Sequence, residues 1–123
     1  MAPRTAVYVI DDDDAIRDAV CTLLEVCGFA ALAYATGAEF LRDASPAWAG
    51  YLLTDADMTG RACLELLNQV KARGIAMPVI VMFSDLRKRV AVARRHPDAM
   101  FLDKPFTAED LLACLGAGNG AGK

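Results

Sequence analysis

The stretch AVYVIDDDD, residues 6–14, joins a short apolar run to four consecutive aspartates. The run at residues 6–10 is β-branched, too short for a helix and apolar on both faces, which predicts a buried β-strand. Adjacent carboxylates repel one another, so four of them at a strand end need a stabilising partner. A helix N-terminus is one such partner, because aspartates cap helices and complement the helix dipole. A bound cation is another.

The composition is that of one soluble globular domain. The chain has 123 residues, of which 55% are hydrophobic and 24% are charged, and this length is sufficient to bury a core. A net charge of -3 argues against direct nucleic-acid binding by the domain. No apolar run approaches the ~20 residues of a membrane span, and residues 1–10 lack the apolar core of a signal peptide. We therefore expect a cytoplasmic protein with no membrane partner.

The four cysteines and the single histidine do not have the spacing of a metal site. No CxxC or CxxH pair occurs, and the histidine has no cysteine or second histidine beside it. Each cysteine lies among apolar residues of a helix-like stretch, so we expect small core residues rather than zinc ligands. These residues are Cys21, Cys27, Cys63, Cys114 and His96.

Strand-like and helix-like patterns alternate five times along the chain. Strands are predicted at residues 6–10, 29–34, 51–54, 78–83 and 99–103. Helices are predicted at residues 16–27, 37–44, 62–73, 86–95 and 107–115, the last opened by the capping box Thr107-x-x-Asp110. Continuous apolar strands separated by helices imply a parallel sheet covered on both faces. Residues 1–116 are predicted to form one domain, and residues 117–123 a flexible tail.

Charged residues follow three of the predicted strands, where parallel sheets bind their ligands. Asp11 and Asp12 come after strand 1, Asp55 after strand 3 and Lys104 after strand 5. Two like charges ~4–5 Å apart cost about 3–4 kcal/mol at an effective dielectric near 20. A divalent cation removes this cost, and a few hard carboxylate oxygens suit Mg²⁺. A metal beside a carboxylate also suits phosphoryl transfer.

These motifs resemble the receiver domain of bacterial two-component response regulators, over roughly residues 5–116. The resemblance rests on the acidic pair in VIDDDD, the aspartate in LLTDADM and the Lys-Pro in FLDKPF. It is nearest to the receivers often joined to a LuxR-type DNA-binding domain. The implied fold is flavodoxin-like, a (βα)5 three-layer sandwich with parallel sheet order 2-1-3-4-5. Two helices are expected on one face and three on the other.

The resemblance also implies a role for each charged residue. Asp55 would accept a phosphoryl group from a sensor histidine kinase or a phosphotransfer protein. Asp12 and the Asp55 side chain would bind Mg²⁺ or Mn²⁺ directly, with Asp11 acting through water. The backbone carbonyl of Asp57 would complete the protein ligands. Lys104 would pair with Asp55 and then with the phosphate, while Asp13 and Asp14 are left to cap the following helix.

The predicted switch region departs from the family pattern. The family ends its fourth strand in a Ser or Thr that binds the phosphoryl group, and this sequence has Phe83 there. Ser84 follows, but neighbouring strand residues point to opposite sides, so Ser84 replaces it only if the strand slips or bends. Phe101 matches the aromatic switch residue, and Lys104–Pro105 the cis peptide. We therefore predict phosphoacceptor chemistry with an altered switch.

Other functions fit parts of the sequence. One alternative is a non-phosphorylated pseudo-receiver that acts only as an interaction module. It differs from a phosphorylated receiver solely in whether Asp55 is modified. The stretch DADMT, residues 55–59, matches the DxDxT motif of haloacid-dehalogenase-type phosphatases, but the downstream acidic pair of those enzymes is missing. A receiver is not a turnover enzyme. The basic helix at residues 86–95 predicts docking of an acidic protein or a homodimer, because no helix-turn-helix accompanies it.

Overall fold

Five β-strands alternate with five α-helices in the computed structural model, which describes residues 4–118. The elements are β1 Ala6–Ile10, α1 Asp14–Val26, β2 Ala30–Tyr34, α2 Gly37–Asp43, β3 Tyr51–Asp55, α3 Ala62–Ala72, β4 Val79–Phe83, α4 Leu86–Arg95, β5 Met100–Asp103 and α5 Ala108–Gly118. All strand pairs are parallel, in the order β2-β1-β3-β4-β5. The predicted flavodoxin-like fold is therefore confirmed.

Two apolar clusters cover the two faces of the sheet. One contains α1 and α5, whose inward side chains meet alternate residues of the central strands. The other contains α2, α3 and α4. The helices are thus divided two and three, as the sequence predicts. Buried representatives are Val20, Leu24, Leu111 and Leu115 on the first face, and Phe40, Leu66, Leu67 and Val92 on the second.

Several element boundaries differ from the predicted ones by one to three residues, and two of these differences affect the site and the predicted tail. Asp55 is the last residue of β3 rather than the residue after it, because it stays in register with Met82 of β4. Helix α5 runs to Gly118, so it includes the first two residues of the predicted tail at 117–123. The rest of that tail lies outside the described residues. The capping box is present, since the Asp110 amide donates to the Thr107 hydroxyl and the Thr107 amide to the Asp110 carboxylate.

The acidic run is divided between the helix and the sheet edge. The Asp13 carboxylate caps α1 by accepting a hydrogen bond from the Ile16 amide at 3.0 Å, and Asp14 forms an ion pair with Arg17. The helix thus accounts for two of the four aspartates and leaves Asp11 and Asp12 at the end of β1.

The cysteines are all free thiols, and only Cys63 is buried, whereas Cys21, Cys27 and Cys114 are half-buried. Cys63 is therefore a core residue as expected, and the half-buried Cys21 and Cys114 pack against the core. Among residues 4–118, no helix has both the length and the apolar character that a membrane crossing needs.

Candidate functional site

The carboxyl edge of the sheet brings together the charged residues that the sequence singles out. β1 and β3 are neighbours, so Asp11, which follows β1, faces Asp55 at the end of β3. Lys104 follows β5, and its ammonium donates to Asp55 Oδ2 at 2.8 Å. Burial alone lowers the pKa of Lys104, but its hydrogen bonds to Asp55 and Asp57 raise that pKa overall. The predicted pairing of Lys104 with Asp55 is present.

Asp11 is the least compensated charge of this edge. Its residue is only 1% exposed, and its Oδ1 accepts a hydrogen bond from the Asp13 amide at 3.0 Å. Its Oδ2 is buried without any hydrogen-bond partner. Burial, together with the neighbouring Asp55 carboxylate, raises the pKa of Asp11 to about 7. A bound cation would relieve this situation, because it offers the orphaned oxygen a partner.

Asp12 is exposed and turns toward the loop after β3. Its Oδ2 lies 3.4 Å from the Thr59 amide nitrogen and 3.5 Å from the Thr59 hydroxyl, which are long contacts. The Asp12 carboxylate is therefore held loosely and remains open to another ligand. In Asp55, by contrast, Oδ1 accepts from the Asp57 amide at 2.8 Å while Oδ2 accepts from Lys104.

The donor set fits a divalent cation held mostly by water. Across residues 4–118, no three acidic, histidine or cysteine side chains form a cluster that could hold an ion by themselves. The groups that could contribute are the Asp12 and Asp55 carboxylates, the Asp57 carbonyl and, through water, the orphaned oxygen of Asp11. Few hard oxygen ligands and several waters are what Mg²⁺ prefers.

The Asp57 side chain makes contacts that the sequence does not predict. Its Oδ2 accepts from the Ser84 amide at 2.8 Å and the Ser84 hydroxyl at 2.6 Å, and its Oδ1 accepts from the Asp85 amide at 3.1 Å. The Lys104 ammonium lies 2.9 Å from the same Oδ2. Burial raises the pKa of Asp57, but these hydrogen bonds outweigh it and hold that pKa well below its ordinary value. In the sequence, only the position of Asp57 two residues after Asp55 indicates that its side chain could lie at the site.

The end of β4 carries Phe83 in regular register. Phe83 pairs with Asp103 of β5, and its carbonyl accepts from the Lys104 amide at 2.8 Å. The Phe83 ring is buried and meets the Phe101 ring edge-on, with centroids 6.3 Å apart. The Arg89 guanidinium of α4 lies 4.4 Å from the Phe101 centroid and 5.5 Å from the Phe83 centroid. The last residue of β4 therefore has an aromatic ring and no hydroxyl.

Ser84 and the Lys104–Pro105 peptide are the two remaining predicted positions. Ser84 directs its hydroxyl at Asp57, so no hydroxyl of this segment reaches Asp55. The peptide bond between Lys104 and Pro105 is cis. Asp55, Lys104 and Asp11 are thus brought together at one place. Beside them, Phe83 ends β4, Ser84 follows it, and Phe101 lies in the neighbouring strand β5.

Known proteins resemble the chain in sequence and in fold. The transcriptional regulatory protein FixJ of Azorhizobium caulinodans is 41% identical over 121 residues, which cover 98% of this chain and 57% of that protein. The DNA-binding transcriptional regulator NtrC of Escherichia coli is 33% identical over 113 residues, which cover 91% of this chain and 24% of NtrC. The chain thus spans less than two thirds of the length of these relatives.

Solved structures agree with this likeness. The structure of full-length FixJ from B. japonicum superposes with a TM-score of 0.82 at 29% identity, covering 97% of this chain and 59% of that chain. The structure of FixJ-N superposes with a TM-score of 0.86 at 24% identity, covering 98% and 97%, and supports the fold alone. Residues 7–115 match the family described as the response regulator receiver domain. The chain therefore belongs to the response regulator receiver domain family.

Proposed function

We propose that this domain accepts a phosphoryl group on Asp55 from a sensor histidine kinase or a phosphotransfer protein. The observation that supports this most is the pairing of a buried carboxylate with an ammonium at the carboxyl edge, Asp55 Oδ2 to Lys104 at 2.8 Å. A carboxylate oxygen of Asp55 attacks the phosphorus in line. The bond from phosphorus to the donor's imidazole nitrogen breaks, and an acyl phosphate forms. Lys104 remains beside the new phosphoryl oxygens and neutralises part of their charge.

Asp12, the Asp55 side chain and the Asp57 carbonyl are proposed as the direct ligands of Mg²⁺ or Mn²⁺, with Asp11 bound through water. When bound, the ion supplies positive charge to the phosphoryl oxygens. The orphaned Oδ2 of Asp11 supports this assignment, since no group among residues 4–118 donates a hydrogen bond to it. With so few protein ligands, binding of the ion is expected to be weak.

Labelling with acetyl phosphate in the presence of Mg²⁺ tests the proposal. The wild-type domain should gain one phosphoryl group by intact mass spectrometry, and removal of Mg²⁺ with EDTA should prevent it. Asp55→Asn should abolish the gain because it removes the nucleophilic oxygen and keeps the shape. Asp13→Asn, a control at the neighbouring strand end, should leave labelling intact. Labelling of Asp55→Asn would place the acceptor elsewhere.

The same assay separates the two alternatives. If the domain is a pseudo-receiver, the wild-type protein would remain unlabelled by acetyl phosphate and by any kinase. A phosphatase of the haloacid dehalogenase type would instead hydrolyse a small phosphomonoester such as p-nitrophenyl phosphate repeatedly. We propose that the domain only loses its own phosphoryl group, so turnover of that ester should be absent.

We also propose that the switch is altered at Phe83. The ring has no hydroxyl to offer the phosphoryl group, and the hydroxyl of the next residue, Ser84, donates to Asp57. Beryllofluoride should therefore shift the NMR signals of Phe101 and α4 little in the wild type. Phe83→Thr should enlarge this response, although loss of the buried ring should lower stability by about 2–4 kcal/mol. Equal responses would count against Phe83 as the altered position.

The basic face of α4, formed by Arg87, Lys88, Arg94 and Arg95, is proposed as a docking surface for an acidic protein. These residues border a groove of about 710 Å³ between α3 and α4, into which Arg61 also projects. Sedimentation at increasing protein concentration tests the competing homodimer. If the domain still dimerises when Arg94 and Arg95 are both replaced by Gln, the basic face of α4 is not the dimer interface.

A further inference from the structure

The side chain of Asp57 joins two segments that are distant in sequence. Four donors converge on its carboxylate: the Ser84 amide, the Ser84 hydroxyl, the Asp85 amide and the Lys104 ammonium. The first three belong to the β4–α4 loop, here defined as Ser84 and Asp85. Charge-assisted hydrogen bonds of this kind are shorter and stronger than neutral ones. Asp57 therefore binds this loop from the end of β3.

The backbone around Asp57 is itself fixed. Its amide donates to Asp55 Oδ1 at 2.8 Å, which ties the start of the β3–α3 loop to the phosphoacceptor side chain. On the other side, the Asp85 carboxylate caps α4 by accepting from the Arg87 amide at 2.9 Å. The contact between Asp57 and the Asp85 amide thus connects the site directly to the first turn of α4.

Asp57 also shares its cation with the phosphoacceptor. One Lys104 ammonium lies 2.8 Å from Asp55 Oδ2 and 2.9 Å from Asp57 Oδ2, so the two carboxylates face each other across a single group. A phosphoryl group on Asp55 would extend into this space and would need the same ammonium. It would also meet the negative charge of Asp57 at short range, which is unfavourable.

We propose that the Asp57 carboxylate is a built-in anion that holds the β4–α4 loop closed in the unphosphorylated domain. Asp57 shares the Lys104 ammonium that an incoming phosphoryl group would need, so phosphorylation has to compete with Asp57 for Lys104. Only this second half rests on the proposed phosphorylation of Asp55. The first half concerns the resting domain and is measurable without any phosphodonor. Asp57 is thus a positioning residue, acting through Lys104 and through the loop.

Amide hydrogen exchange in the metal-free, unphosphorylated domain tests the first half. Asp57→Ala should accelerate exchange of the Ser84 and Asp85 amides by roughly tenfold or more relative to the Ile80 amide in the core. Asp57→Asn, which keeps an acceptor oxygen and loses the charge, should lie between Asp57→Ala and the wild type. Asp98→Asn makes the same charge change at the amino end of β5 and should have no effect. Acceleration no greater than that of Ile80 would overturn the proposal.

Beryllofluoride binding with Mg²⁺ tests the second half. Asp57→Ala retains the backbone carbonyl, and without its carboxylate the domain should bind beryllofluoride roughly tenfold more tightly. Equal affinity of the wild type and Asp57→Ala for beryllofluoride would overturn the proposed competition. If no variant bound beryllofluoride, the proposed phosphorylation would fail. Faster loop exchange in Asp57→Ala would still support the proposal that Asp57 holds the β4–α4 loop in the resting domain.

Discussion

The charge state of Asp11 depends on whether the domain is folded. Burial raises its pKa to about 7 in the folded domain, compared with about 3.9 for an exposed aspartate. Because the folded pKa is the higher one, the folded state binds a proton that the unfolded chain has already released. The metal-free domain therefore loses this contribution to stability as the pH rises from about 4 through 7.

Replacing Asp11 by Asn should remove most of this pH dependence. Between pH 5 and pH 8 in EDTA, the free energy of unfolding of the wild type should fall by about 2–3 kcal/mol more than that of Asp11→Asn. Urea denaturation at the two pH values measures the difference. The half-buried His96, whose pKa is lowered by burial, has the opposite pH dependence but contributes equally to both proteins. Parallel pH profiles for the two proteins would contradict the prediction.

At the scale of elements, the acidic run has a structural role in starting α1. The Asp13 side chain accepts from the Ile16 amide, one of the donors that a helix N-terminus leaves unpaired. Asp13→Ala should therefore lower the free energy of unfolding by about 1 kcal/mol. Asp14→Ala is the matched control, because the Asp14 side chain is 85% exposed and its ion pair with Arg17 should contribute less than about 0.5 kcal/mol. Urea denaturation of both variants should rank them in this order, and the reverse ranking would refute the cap assignment.

Helix α4 is attached to the sheet through Arg89 as well as through its apolar side chains. The Arg89 guanidinium lies over the rings of Phe83 and Phe101, where a cation is attracted to the aromatic face. Arg89→Ala should cost about 1 kcal/mol of stability. Arg87→Ala on the same helix removes the same charge from a side chain that is 94% exposed and should change stability by less than about 0.5 kcal/mol. Thermal unfolding of the pair distinguishes the ring contact from a general effect of charge.

For the molecule as a whole, the close approach of the chain before β3 to the start of β1 depends on a glycine. Gly50 has φ +129°, and a Cβ at that position would lie 2.3 Å from the backbone carbonyl oxygen of Ala6. Gly28 has φ +96° but open space around it. Both substitutions by Ala strain the backbone, at about 1–3 kcal/mol each. Only the change at Gly50 also forces two segments of the core apart.

Gly50→Ala should therefore lower the free energy of unfolding by about 1–3 kcal/mol more than Gly28→Ala does. Urea denaturation of the two variants measures this difference directly. Equal costs would mean that the start of β1 moves aside without loss of packing. Because β1 lies between β2 and β3, a shift there should also change the amide signals of β2 in the Gly50 variant.

The parts of the site that lie at strand ends were predictable from the sequence. A short apolar run followed by charge predicts where a strand stops, and parallel strands place their carboxyl ends at one edge. Asp11, Asp55 and Lys104 meet for this reason, although Asp55 lies within β3 rather than after it. Helix caps at Asp13 and Thr107 were predictable too, since a cap involves residues only three positions apart.

Contacts between side chains from different loops were not predictable in this way. The sequence alone determined the alternation of strands and helices, the parallel sheet and the convergence of the acidic residues with Lys104, because periodicity and capping act over a few residues. Only the tertiary structure decided that Asp57 binds Ser84, 27 positions away, that Asp11 keeps an unpaired buried oxygen, and that Arg89 covers two rings. These contacts depend on loop conformation and side-chain rotamers, which are set by packing across the whole sheet edge.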